Sequence, residues 1–142
     1  VDELVNTVNL EELNSFADEF ANALKPSDVV FFEGPMGAGK TTLISAICAS
    51  LKTKEAVSSP TYAVMHEYES DSFLVQHFDF FKVKPGDYLY EMAVEQFPNV
   101  EAVTFVEWPQ NLSNDLQDCA TINIKLGKVP NDDYKRTIGV CR

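Results

Sequence analysis

The chain has 142 residues, 45% of them hydrophobic, a common size for one folding unit with one sizeable apolar core. Twenty-two acidic residues against eleven basic ones leave a net charge of -11, which repels a nucleic-acid backbone, argues against a stand-alone RNA binder and suits a basic partner surface. Cys48, Cys119 and Cys141 lack C-x-x-C spacing and the apolar runs are short, so no disulfide framework, zinc site, membrane span or signal peptide is indicated, and a cytoplasmic protein is expected.

In chain order, residues 9 to 25 place Leu10, Leu13, Phe16, Phe20, Ala21 and Leu24 at three- and four-residue steps, the period of an amphipathic helix, with Pro26 just past its end. Val29-Val30-Phe31-Phe32 reads as a short buried strand between Asp28 and Gly34. A second helix is expected from about Gly39, burying Leu43, Ile44, Ile47, Cys48 and Leu51. Tyr62 to Tyr68 and Phe73 to Phe80 predict a hairpin across the polar turn Glu69-Ser70-Asp71-Ser72, which makes part of the sheet antiparallel. Residues 87 to 97 predict a short helix capped by Asp87 and stopped by Pro98, and Val103 to Val106 another buried strand. Cys119 to Leu126 and Tyr134 to Val140 close the chain as a hairpin. The pattern predicts a single three-layer α/β domain with a mixed, partly antiparallel sheet, of the P-loop NTPase type.

Gly34-Pro35-Met36-Gly37-Ala38-Gly39-Lys40-Thr41 satisfies G-x-x-x-x-G-K-[ST] and lies between a predicted strand and a predicted helix, the context that this motif needs. Glycines let the backbone curl round phosphates with its N–H groups inward, and the helix N-terminus adds the positive end of its dipole. Lys40 is the expected bridge to the β- and γ-phosphates, Thr41 Oγ the expected Mg²⁺ ligand, and Thr42 a further hydroxyl within reach of phosphate. Such a loop also requires an acidic residue at the end of a neighbouring strand. Two candidates stand open: Asp79 after Phe73 to Phe78, and Glu107 after Val103 to Val106. His77 is read as structural, because a lone histidine in a strand usually is, and Trp108 beside Pro109 as packing. No Asn-Lys-x-Asp pattern for reading guanine is present, which favours ATP.

With these segments in hand, the chain resembles the bacterial TsaE ATPases that support synthesis of threonylcarbamoyladenosine beside the tRNA anticodon. The resemblance runs from about residue 9 to residue 140: the loop Gly37 to Leu43, then Val57-Ser58-Ser59-Pro60-Thr61-Tyr62 and Tyr68, then His77-Phe78-Asp79-Phe80-Phe81-Lys82, then Val106-Glu107-Trp108-Pro109, and a last hairpin carrying Arg136. It implies that Gly37, Ala38, Gly39, Lys40, Thr41 and Thr42 bind ATP, that Thr41 and Glu107 hold Mg²⁺, and that Asp79 and Arg136 lie at the nucleotide. Lys40, Asp79 and Glu107 would then form the catalytic set. Ser59 to Tyr62 sits where P-loop proteins carry a γ-phosphate sensor, with Thr61 as its hydroxyl. The implied activity is slow ATP hydrolysis, stimulated by a complex of TsaD and TsaB, with tRNA met only through that complex. Pro35, Met36, Phe81, Lys82 and Leu13 depart from the family pattern and leave the proposed phosphate and metal residues intact. Two other classes remain: a small-molecule kinase, for which Arg136 and Arg142 as the only arginines leave no arginine-rich lid, and a nucleotide sensor without turnover.

Overall fold

A helix begins where the chain supplies both halves of a cap. Asn9 Oδ1 accepts the Glu12 N–H at 2.9 Å and Glu12 Oε1 accepts the Asn9 N–H at 3.3 Å, so two otherwise orphaned donors are satisfied at the start of α1 (Leu10–Ala23). Its buried stripe is Leu13, Ala17, Phe20 and Ala21, while Leu10, assigned to that stripe by period, points outward with 62% exposure. The computed structural model describes residues 3–55, 64–97 and 99–142. Beside α1 these form β1 (Glu3–Val8), β2 (Val29–Glu33), α2 (Lys40–Ser50), β3 (Met65–Glu69), β4 (Leu74–Asp79), α3 (Tyr88–Val94), β5 (Ala102–Glu107), β6 (Ile122–Val129) and β7 (Asp132–Cys141). The expected stop at Pro98 and the segment from Ser59 to Tyr62 lie outside the described residues.

One seven-stranded sheet has the order β1-β7-β6-β2-β5-β4-β3. Its middle is parallel, β2 pairing with β5 and β6 and β4 pairing with β5, while β3 joins β4, and β7 joins both β6 and β1, in antiparallel fashion. The sheet is therefore mixed, as the two hairpins predict. Strand β1 has no counterpart in the sequence reading, which starts its first element at residue 9.

The alternation of side chains along each strand splits the core into two layers. Val30 and Phe32 of β2, Val75 of β4 and Val103 and Phe105 of β5 pack with Leu13, Ala17 and Phe20 of α1 and Leu43, Ile44 and Ile47 of α2. On the other face Val29, Phe31, Phe78 and Val106 meet Tyr90 and Ala93 of α3. That parity has a consequence for polar residues. His77 and Asp79 share the parity of Val75, and Glu107 that of Phe105, so all three turn toward the face that carries α2.

Candidate functional site

The parallel strands β2, β4 and β5 end at one edge of the sheet, where open α/β sheets place their ligand crevice. Three things meet there: the loop after β2, the first turn of α2, and the carboxylates that end β4 and β5. Asp79 and Glu107 are register partners across the β4/β5 ladder.

The loop is shaped by two glycine requirements. Gly39, the N-cap of α2, has φ +96°, a left-handed conformation that side chains rarely adopt, and as a glycine it offers no side chain to cap the helix. Gly34 runs so close to β6 that a Cβ there would stand 2.6 Å from the Leu126 carbonyl oxygen. From β7, Arg136 grips the loop from behind: Nε donates to the Ala38 carbonyl at 3.1 Å and one terminal nitrogen to the Gly37 carbonyl at 3.5 Å. Arg136 thus reaches the loop and braces its backbone. Lys128, which the sequence reading passes over, sits on β6 opposite Arg136, its Nζ 3.2 Å from where a Cβ on Gly37 would stand.

Lys40 is buried at 6% exposure, and its ammonium donates to the Gly34 carbonyl at 2.5 Å while lying 3.8 Å from the centre of the Trp108 ring. Burial lowers its pKa, and the charges of Glu107 and Asp79 oppose that shift. Trp108, read from the sequence as packing, packs on the wall of the cleft. It is half-buried, adopts φ +57°, leans on Phe81 with ring centroids 4.8 Å apart, and walls the cleft. The positive φ directly after Glu107 turns the chain out of β5 and brings the indole over the lysine. Phe81 and Trp108 lie apart in sequence, so spacing gives no signal of this contact.

The acidic pair divides by environment. Glu107 is 3% exposed; its Oε1 accepts from Thr41 Oγ1 at 3.0 Å and its Oε2 lies 2.7 Å from His77 Nε2. Asp79 is half-buried, and its Oδ1 accepts the Phe81 N–H at 3.0 Å. Burial holds the Asp79 carboxyl above the usual carboxylate range, against the Phe81 N–H, with Glu107 adding to the rise. A cleft of about 380 Å³ is bounded by Met36, Gly37, Gly39, Lys40, Thr41, Thr42, Asp79, Phe81, Glu107, Trp108 and Arg136. A narrower, more apolar slot adjoins it past Gly39 and Thr42, between Val8, Leu10, Leu13, Leu126 and Tyr134. Except for Ala38, which lines this slot and not the cleft, the cleft gathers the described residues that the sequence assigns to phosphate, metal and catalysis. The donors beside Thr41 are hard oxygens, a hydroxyl and one carboxylate, a set that suits a small divalent cation whose remaining ligands are water and phosphate.

A strand running into a glycine loop and an uncapped helix, at the carboxyl edge of a parallel sheet, defines the class: a P-loop NTPase-like α/β protein. A solved structure titled Crystal structure of Bacillus subtilus YdiB has the same fold, with a TM-score of 0.70 at 24% identity, covering 99% of this chain and 85% of that one. Residues 7–138 match the family model described as Threonylcarbamoyl adenosine biosynthesis protein TsaE, and the chain belongs to that family. Among its relatives, the tRNA threonylcarbamoyladenosine biosynthesis protein TsaE of Aquifex aeolicus is 37% identical over 102 residues, 70% of this chain and 71% of that one. Its namesake from Rickettsia typhi is 32% identical over 108 residues, covering 75% and 74%, and that from Bacillus subtilis 31% identical over 110 residues, covering 78% and 68%. Membership ties the chain to threonylcarbamoyladenosine biosynthesis. No helix among the described residues is long and apolar enough to cross a membrane.

Proposed function

We propose that this chain is a Mg²⁺-dependent ATPase that sustains the TsaD–TsaB complex in tRNA threonylcarbamoyladenosine synthesis. The observation that carries the reading is the convergence of an uncapped helix N-terminus, the Lys40 ammonium, the Thr41 hydroxyl and two strand-ending carboxylates in one cleft. Amides from Gly37 to Thr42 receive the phosphates, and Lys40 leaves the Gly34 carbonyl to offset the charge of the β- and γ-groups. Thr41 and Glu107 would hold the cation, which when bound would offset negative charge on the phosphates. Asp79, a strand-ending carboxylate opposite Glu107 at the cleft, orients the attacking water. Arg136 keeps the loop in register and presents positive charge at its rim. The apolar slot beside Gly39 takes the base.

The net charge of -11 suits docking on a partner of positive potential, and TsaD with TsaB would supply that surface and, through it, the tRNA. Phosphate release measured with and without purified TsaD and TsaB tests this. Slow release alone and faster release with both are expected; tight ATP binding with flat release would favour a sensor, and a phosphorylated small molecule a kinase.

A further inference from the structure

We propose that His77 is a positioning residue for the metal site: it fixes the Glu107 carboxylate so that a single oxygen faces the cation beside Thr41. This inference rests on the assignment of Thr41 and Glu107 as metal ligands and adds a residue behind them.

His77 lies on β4 opposite Phe105, one step back along the same face from Glu107, and is fully buried at 0% exposure. It does not itself line the cleft. Its Nε2–H points at Glu107 Oε2, 2.7 Å away, while Glu107 Oε1 is left to Thr41 at 3.0 Å. One oxygen of the carboxylate is thereby tied inward and the other aimed outward. A free carboxylate rotates about its last bond; this one cannot without giving up a short buried hydrogen bond.

The ring is itself held, tilted against Tyr68 with centroids 6.3 Å apart. Among the described residues Nδ1 has no hydrogen-bond partner, so the proton belongs on Nε2, where it is used, and the bond to Glu107 is the polar contact that orients the imidazole. Stability alone does not explain a histidine here. A buried polar pair contributes little beyond what well-packed apolar side chains of the same volume supply, and Val75 and Phe105, which flank His77 on the same face of the sheet, are buried and apolar. Groups that orient a metal ligand from behind, by contrast, typically change metal affinity about 10- to 100-fold when lost.

The test uses the full chain, a non-hydrolysable ATP analogue and Mn²⁺ as a paramagnetic probe of the cation, with bound Mn²⁺ counted by electron paramagnetic resonance. His77→Phe keeps ring volume and removes the donor; His77→Gln places an amide N–H near the position of Nε2. The expected result is Mn²⁺ binding about 10- to 100-fold weaker in His77→Phe, recovered to within about threefold in His77→Gln, with metal-free nucleotide affinity unchanged in both. If His77→Phe does not fold, His77→Asn, whose shorter amide falls short of Glu107, takes its place with the same expectation. Wild-type affinity in the donor-less variant, or equal loss in His77→Gln, overturns the role of His77. Absence of nucleotide-dependent Mn²⁺ binding in the wild type overturns the metal assignment itself, and the inference with it.

Discussion

Replacing Lys40 by methionine keeps most of the length of the stem and removes the charge, and the structure sets the scale of the loss. Without nucleotide the ammonium is held by the Gly34 carbonyl at 2.5 Å and by the face of Trp108. Moving it to within about 4 Å of one phosphate charge gains about 4 kcal/mol at an effective dielectric of about 20. Leaving the carbonyl gives back about 1.5 to 3 kcal/mol, the contribution of a hydrogen bond from a charged donor. The net of about 2 kcal/mol corresponds to about 30-fold in affinity, and a second phosphoryl charge adds in the same direction. The nucleotide-free variant, relieved of a desolvated cation, should melt no lower than wild type. Calorimetry with a non-hydrolysable ATP analogue and Mg²⁺, beside a thermal melt, reads both quantities. A dissociation constant within about threefold of wild type in Lys40→Met refutes the placement of this ammonium at the phosphates.

Asp79→Asn tests the raised carboxyl: a folded pKa above the unfolded value gives stability below the unfolded value that is lost as pH rises through the folded one. The variant should therefore melt higher than wild type at about pH 7 and alike at about pH 3, with slower phosphate release; equal melting at both pH values contradicts the shift. Gly34→Ala drives a Cβ against the Leu126 carbonyl, so urea unfolding should show a loss of about 1 to 3 kcal/mol together with weaker nucleotide binding, and wild-type stability would mean that the loop yields freely. Arg136→Lys keeps the charge and loses the fork that spans Ala38 and Gly37, so affinity for the analogue should fall about tenfold, and an unchanged value would confine Arg136 to β7.

What the sequence makes legible is local. The glycine loop is recognisable because strand, motif and helix are contiguous, and Asp79 and Glu107 because each ends a segment that reads as a strand. What it hides depends on pairing between distant segments. Strand β1 alternates too weakly to declare itself and exists by pairing with β7 at the far end of the chain, Glu3 opposite Cys141. The bond from His77 to Glu107 needs the parallel register of β4 on β5, and neither residue type reveals it. Trp108 resembles packing because a Trp-Pro pair usually is; only its left-handed backbone carries the ring over Lys40. Leu10 fits the helical period yet falls on the outer face of α1, where period alone does not decide between core and cleft.

Whether the loop after β2 is a phosphate cradle is tested most directly by a crystal structure with a non-hydrolysable ATP analogue and Mg²⁺. The expected result is the triphosphate on the amides of Gly37 to Thr42, Lys40 drawn off the Gly34 carbonyl onto phosphate, and the cation between Thr41 and Glu107. An analogue bound elsewhere, or Lys40 still lying on Gly34 and Trp108 with the cleft occupied, contradicts it.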